Sequence, residues 1–538
     1  MAVFIVEIIM QVLQNLGKSE LPAAARVCSS WTGVALDMLW KEMESVLPIM
    51  ALLGPISIRE GGWDWDNGVP SGDWSRFASY TKRVQSLSYC TSGNGDDAFL
   101  EQMSFHVPAR WLDYIAGHQS RYLLPQIRKI EWSCNHDNQL DMILPFLSPT
   151  IKDVKIKPWW GVSLMGMSSL LTALQQALPS GVRALTLNLD YTQHGGERSE
   201  AFESLLESLD ELQELRVPYY PMVPVMFKPS RLRVLEVGCD LESGIDVNAL
   251  LSQLADTCPL LEDLRIMFSG DSNLNFQLIS PLVRCSKLRS LDMDYWGTFD
   301  LNAAEVSKMG RAWRELEVLH IASRRQYDDP DDPALGMPFG LLVAFADCFS
   351  PKLRKLGLYV STHDIPAPPN PPVSFPNLQV LYVGTSPFES DKAKVMKAFA
   401  FFSGLLPQGI GIATSSRWSW NRERSVFDPH GWGWEKDSWN VLSRMLSQGE
   451  ITDILAELDQ APPEIGWNLD LSANALGAPV WNTEWVVDGG GDWNPPNQGG
   501  DWNPPNLGGG WNPPNLGGGW NPPNHGGGWN PPNQGGDW

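Results

Sequence analysis

The 538-residue chain has no run of eighteen uncharged apolar residues, so nothing in it reads as a helix that spans a bilayer. It is short of positive charge: 40 Lys and Arg stand against 62 Asp and Glu, a formal net charge of −22. Phosphate backbones are bound by clustered Lys and Arg, so nucleic-acid binding is excluded as the main task. Cysteine is scarce, seven residues without a C-x-x-C pair, which argues against a disulfide scaffold or a thiolate zinc site. Only eight histidines occur and none pairs at a ligand spacing, so no metal ligand is assigned. G-x-S-x-G, H-E-x-x-H, G-x-x-x-x-G-K-S/T and a G-x-G-x-x-G between strand and helix are all missing, so no catalytic residue and no cofactor is assigned. A cysteine hydrolase, whose partner histidine can lie far off in sequence, is the enzyme class this search leaves open. The apolar start Met1–Val6 lacks a basic leader and is broken by Glu7, so it does not read as a secretory signal.

What the chain has instead is a recurring frame, L-x-x-L-x-L. It is clearest at Leu261/Leu264/Ile266 and returns at Leu232/Leu235/Val237, Leu288/Leu291/Met293, Leu316/Leu319/Ile321, Leu353/Leu356/Leu358 and Leu378/Leu381/Val383. Looser copies lie at Val84/Leu87/Tyr89, Ile127/Ile130/Trp132, Ile151/Val154/Ile156, Val182/Leu185/Leu187 and Leu212/Leu215/Val217. First anchors are mostly 20 to 31 residues apart, with wider gaps after Val84 and Leu316, which is the period of leucine-rich repeats. Each copy reads as a turn feeding a short strand, and stretches between copies, such as Val247–Ala255, carry apolar residues at helix spacing. One such unit cannot bury its apolar side alone, so neighbours must stack. The predicted class is α/β: a curved solenoid with a parallel sheet and outer helices.

Strand side chains alternate, so the residue between the last two anchors points away from the core. Read along the chain, that slot holds Ser88, Glu131, Lys155, Thr186, Arg216, Glu236, Arg265, Asp292, His320, Gly357 and Tyr382. This row is the predicted recognition surface on the concave face. Arg216, Glu236, Arg265, Asp292, His320 and Tyr382, with the aromatics Tyr295 and Trp296 just beyond one strand, are its candidate partner-binding residues. Two insertions, 324–333 and the proline-rich 363–372, are candidates for a lip over that face. Cys134, Cys239, Cys258 and Cys285 recur at fixed places in the frame, which suits small buried side chains in a reducing compartment.

Ahead of the repeats, residues 7–16 read as an amphipathic helix stopped by Gly17, a second helix runs from Leu21 to about Ser29 with Ser19 as its cap, and a third runs from about Thr32 to Met43. Glu7, Ile8, Leu13, Leu16, Leu21, Ala25, Val27, Cys28, Trp31, Ala35, Leu39 and Trp40 follow the pattern E-I-x-x-x-x-L-x-x-L, then A-x-V-C-x-x-W and a closing L-W. In these positions the chain resembles the F-box, and together with the repeats it is similar to the F-box and leucine-rich-repeat receptors abundant in mushroom-forming fungi. The resemblance implies docking onto a Skp-type adaptor and through it a cullin-RING ubiquitin ligase, with a protein substrate on the solenoid and the protein itself cytoplasmic or nuclear. Ile8, Leu13, Leu16, Val27, Trp31 and Trp40 are the candidate adaptor contacts it implies. Phe4-Ile5 stand where that family usually has Leu-Pro, which keeps a second function open: a repeat scaffold that has lost adaptor docking.

The expected organisation is therefore a helical module at 1–45, a linker at 46–79, the solenoid at 80–415, a capping region at 416–485 containing helices near 439–448 and 451–458, and a tail at 486–538. Asp64, Asp66 and Gly68 are spaced loosely like a calcium loop but lack its late glutamate, so they read as an ordinary turn. The tail repeats G-G-D/G-W-N-P-P-N-x, a composition that favours polyproline II and disorder over a packed core.

Overall fold

A computed structural model describes residues 2–448 except 60–61, 67–71, 91–121 (Gly117 apart), 135–136, 159–161, 189–199, 222–230, 241–245, 272–273, 324–335, 385, 387, 389–391, 408 and 414–437. These residues fall within one compact unit, Met1–Leu455; residues 456–538, with the W-N-P-P-N repeats, lie outside the described residues. The insertion 324–333 and the helix expected at 451–458 also lie outside the described residues.

All eleven frames become strands of one parallel sheet of thirteen. In chain order these are β1 (Glu42–Met43), β2 (Ser86–Cys90), β3 (Lys129–Cys134), β4 (Asp153–Pro158), β5 (Ala184–Leu187) and β6 (Glu214–Pro221). Next come β7 (Val234–Asp240), β8 (Asp263–Asp271), β9 (Ser290–Trp296), β10 (Val318–Ser323), β11 (Lys355–Leu358), β12 (Val380–Tyr382) and β13 (Gly411–Ala413). Spatial order equals chain order throughout, as expected when each repeat packs only on its neighbours. Every one of the thirty-three anchor side chains is buried, Leu212 being the most exposed at 9%.

Backbone bonds staple each repeat to the one before. Arg289 N–H and Ser290 N–H both donate to Glu262 O, Glu317 and Val318 to Arg289 O, and Arg354 and Lys355 to Glu317 O. Helices return the chain between strands, and their caps are written locally. Asp246 accepts from Ala249 N at 3.0 Å to start Val247–Thr257, and Asn302 with Glu305 forms a reciprocal capping box at the head of Ala303–Ala312. Leu250, Leu251 and Leu254 turn into the layer between helix and sheet. Cys134, Cys239, Cys258 and Cys285 are buried there too, where their frame positions put them.

The front of the chain differs from expectation in detail. Helix α1 is Ala2–Leu13, α2 is a single turn at Leu21–Ala24, and α3 spans Ser29–Lys41. Glu20, not Ser19, is the N-cap of α2, and its carboxylate bends back to accept from Gly17 N at 2.8 Å. The end of α3 runs directly into β1, which pairs with β2 through Glu42↔Ser86 and Met43↔Leu87. Arg83 pairs with Asp37 and donates to Gly33 O at 3.2 Å, and Trp40 packs on Tyr80 at 4.8 Å between ring centres. The helical module is thus the first layer of the sheet. Residues 46–79, expected as a linker, hold a helix at Leu47–Ala51, an antiparallel pair of Ile56–Arg59 with Gly62–Trp65, and a helix at Trp74–Thr81 capped by Asp73. Asp64 sits within that pair, while Gly68 is outside the described residues; no group of side chains able to hold a metal ion occurs among the described residues.

At the far end, Ser438–Gln448 covers the last strands: Trp439 Nε1 donates to Ser386 O at 2.9 Å, and Ile412 N donates to Ser443 Oγ at 3.0 Å. The proline-rich 363–372 segment is no lip over the open face. Pro366 and Pro368 lie beside Gly340 and Gly404, at the start of helix Leu341–Phe349 and near the end of helix Lys392–Leu405. A chain with few backbone donors suits the place of a missing outer helix.

Candidate docking surfaces

Two surfaces carry the residues singled out in the sequence. The first belongs to the helical module. A helix apolar all round belongs in a buried setting, and Glu7 and Gln11 are the only polar side chains of α1. Of its side chains from residue 6 to 13, the rest of the chain covers one stripe, Ile9 and Leu13. Val6 and Met10 stand exposed on one flank of that stripe, Ile8 and Val12 on the other. Val27, in the turn before α3, is 64% exposed. Five of the seven large apolar side chains that are exposed among the described residues are these.

The candidate adaptor contacts therefore divide. Ile8 and Val27 face outward, and Leu16 and Trp31 are half-buried. Leu13 and Trp40 are buried and hold the module together, Leu13 in the helical core and Trp40 against Tyr80; that corrects their assignment as contacts. Val6, Met10 and Val12 went unnoticed in the sequence, although the near absence of polar residues in α1 signalled them. Cys28 at the head of α3 is exposed, and a hydrogen bond with the Ser30 hydroxyl at 3.0 Å holds its thiol below the usual range.

The second surface is the sheet face turned away from the helices. The row read from the sequence is in strict register from strand to strand: Ser88↔Glu131↔Lys155↔Thr186↔Arg216↔Glu236↔Arg265↔Asp292↔His320↔Gly357↔Tyr382. Charges alternate along its middle and pair sideways. Glu236 receives Arg216 at 3.2 Å and Arg265 at 3.1 Å, and Arg265 reaches Asp292 at 3.1 Å on its other side. Asp292 Oδ1 lies 2.7 Å from His320 Nδ1. The His320 ring then crosses above Gly357 to sit 5.1 Å from the ring of Tyr382. A Cβ on Gly357 would stand 2.1 Å from His320 Cδ2, so only glycine lets the ring cross there.

The row is not equally accessible. Asp292, His320 and Tyr382 are buried, so the far half of the face is closed to a partner, whereas Lys155, Arg216 and Arg265 on the near half are partly exposed. Tyr295 leaves the recognition surface altogether: strand alternation turns it into the core beside Phe299, and burial pushes its hydroxyl pKa far up. The side chain of Trp296 is outside the described residues. At the near end, Glu131 is shared by Lys157 at 2.7 Å and Lys155 at 3.6 Å. Burial alone pushes the Glu131 carboxyl up, but the Lys157 hydrogen bond and the surrounding lysine charges more than offset this and hold it below the usual range.

Residues 6–44 match the F-box-like family model. No curated protein matches the chain by sequence. Among solved structures the chain is similar to the leucine-rich repeat-containing protein LegL7 from Legionella pneumophila, with a TM-score of 0.32 and 10% identity over 68% of this chain and 98% of that one. No helix among the described residues is long and apolar enough to cross a membrane.

Proposed function

We propose that the chain is a substrate-recognition subunit of a Skp-cullin-F-box type ubiquitin ligase. Its helical module docks on a Skp-type adaptor and its sheet face receives a protein substrate. The observation that carries this reading is the concentration of exposed apolar side chains, Val6, Ile8, Met10, Val12 and Val27, inside the stretch that matches the F-box-like family. Exposed apolar clusters on a folded chain mark surfaces that a partner covers, and burial of each such side chain contributes about 1 kcal/mol. The protein performs no bond chemistry in this scheme. It holds a substrate lysine near a charged conjugating enzyme carried by the cullin-RING assembly, so that transfer becomes a tethered reaction. Free cysteines, with Cys134, Cys239, Cys258 and Cys285 buried, suit work in the cytoplasm or nucleus.

Co-expression with a Skp-type adaptor tests the reading. The wild-type chain is expected to retain the adaptor through size-exclusion chromatography. Ile8→Asp with Val12→Asp is expected to weaken the complex about a hundredfold while leaving the melting temperature unchanged, because both side chains already face water. Equal retention by the variant, or none by the wild type, overturns the proposal. A second reading, a repeat scaffold without adaptor docking, is favoured by Phe4-Ile5 standing within α1 where the family has Leu-Pro. The same experiment separates the two.

A further inference from the structure

We propose that the side of the solenoid where the chain enters its near strands binds the acidic face of an α-helix from a partner protein. This surface is separate from α1 and from the concave row, and it does not depend on the ligase reading.

The residues that immediately precede the strands form a row of their own. From β1 to β7 they are Lys41, Gln85, Arg128, Lys152, Arg183, Gln213 and Arg233, and the N–H of each donates to the carbonyl of the one before at 2.7–2.9 Å. This stretch holds five cations, two amides and no acid. From β8 onward acids enter and neutralise the row: Glu262 takes Arg233 at 3.2 Å, and Glu317 takes both Arg289 and Arg354.

Arg128, Lys152 and Arg183 stand on three consecutive rungs. Neighbouring strands lie about 4.8 Å apart, and like charges side by side at that spacing destabilise a sheet unless something neutralises them. Arg128 is exposed and its side chain has no partner among the described residues. The Lys152 ammonium is held by a carbonyl and not a carboxylate, Gly181 O at 2.9 Å; a Cβ at position 181 would stand 2.6 Å from that nitrogen, so glycine makes room for it. Arg183 reaches only Glu211, at 3.6 Å, with both side chains about half exposed. The other carboxylates nearby are engaged, Asp153 with Lys129 at 3.6 Å and Glu214 with Arg216 at 3.9 Å. Around the three rungs four cations, Arg128, Lys129, Lys152 and Arg183, therefore meet two acids, Asp153 and Glu211, which leaves a surplus of two positive charges. A chain of net charge −22 has no need of such a patch for solubility. Screening beyond about 8 Å at physiological salt keeps the distant acids from cancelling it at contact.

Spacing selects a helix over an extended segment. Three rungs span about 10 Å along a line perpendicular to the strands. On an α-helix, residues four and then three positions apart share one face and rise about 6 Å and then about 10.5 Å, close to that span. On an extended segment the residues of one face are two apart and advance about 6.7 Å each, so the third overshoots its rung by about 4 Å. Nucleic acid fits less well, because its dense charge also meets the repulsion of the rest of the chain.

The test uses the full-length chain at low ionic strength and fluorescence anisotropy with a labelled, alanine-rich helical peptide whose three glutamates lie four and then three residues apart. An isomer has the same glutamates five residues apart, which spreads them around the helix. The one-face peptide is expected to bind about tenfold tighter than the isomer. Arg128→Gln with Lys152→Gln is expected to abolish that preference. Arg128→Gln alone, which breaks no contact within the fold, is expected to weaken binding about threefold with an unchanged melting temperature. Arg354→Gln, on the neutralised half of the row, and Ile8→Asp with Val12→Asp on α1 are expected to leave peptide binding intact. Equal binding of the two peptides, unchanged binding by the double glutamine variant, no binding of the one-face peptide, or tighter binding of a single-stranded oligonucleotide overturns the proposal.

Discussion

Gly357→Ala probes the row more sharply than any charge substitution, because its effect runs against the usual sign. In an unstrained strand position, alanine for glycine stabilises by about 0.4–1 kcal/mol through the unfolded chain. At position 357 the new Cβ would lie 2.1 Å from His320 Cδ2 and 3.0 Å from both Cγ and Nε2, so the ring must leave its place. Moving it breaks the 2.7 Å contact between Asp292 and His320 in a buried setting, a loss of about 1–3 kcal/mol, and parts the ring from Tyr382, about 0.5–1.5 kcal/mol more. The net expectation is destabilisation by about 1–3 kcal/mol, read as a lower midpoint in urea. Gly411→Ala is the control, since nothing lies within 4 Å of a Cβ there, and it should be neutral or mildly stabilising. In a His320→Ala background the obstruction is gone, and Gly357→Ala should then behave like the control. If Gly357→Ala stabilises the otherwise unchanged protein, the description of His320 crossing above Gly357 is wrong.

Thiol labelling separates the cysteines. Burial pushes Cys134 up to about 12 and Cys285 up to about 11, so both should stay unmodified in the folded protein while exposed Cys28, with its lowered pKa, is alkylated first; rapid folded-state labelling of Cys134 or Cys285 would revive the cysteine-enzyme reading. For Glu131 the folded pKa is depressed, so its lysine pairing contributes stability above the ordinary glutamate range and that contribution is lost as pH falls through the folded value. Lys157→Ala should accordingly lower the melting temperature at about pH 7, and that loss should shrink steadily as the pH is taken below the ordinary glutamate range, whereas a loss that does not change with pH would mean that Lys157 acts through packing alone.

The repeat frame was legible because period-two alternation and an invariant spacing leave little freedom: Leu261, Leu264 and Ile266 could not face water together, and once they turn inward Arg265 must turn outward. Register followed without further information, and the whole row from Ser88 to Tyr382 lines up as read. What alternation says about one strand it also says two residues on, and extending it from Met293 would have sent Tyr295 inward. Depth along the row was not legible, since burial of Asp292 and His320 depends on what neighbouring repeats supply. Nothing in the sequence says why position 357 is glycine, and the reason appears only when the His320 ring from the adjacent strand is in place. The two-residue strand Glu42–Met43 is too short to carry a pattern, yet it joins the helical module to the sheet. Leu13 and Ile8 match the same motif, and which of them faces out depends on how α1 lies on the other helices.

Amide hydrogen exchange with and without a Skp-type adaptor bears most directly on the central claim, that the outward side chains of α1 and the turn at Val27 form the adaptor-binding surface. Exchange is expected to slow in residues 6–13 and 27–31 when the adaptor is added, and to stay the same in β6 to β8, whose face is left for a substrate. Slowing confined to the strands, or no change at residues 6–13, would contradict it.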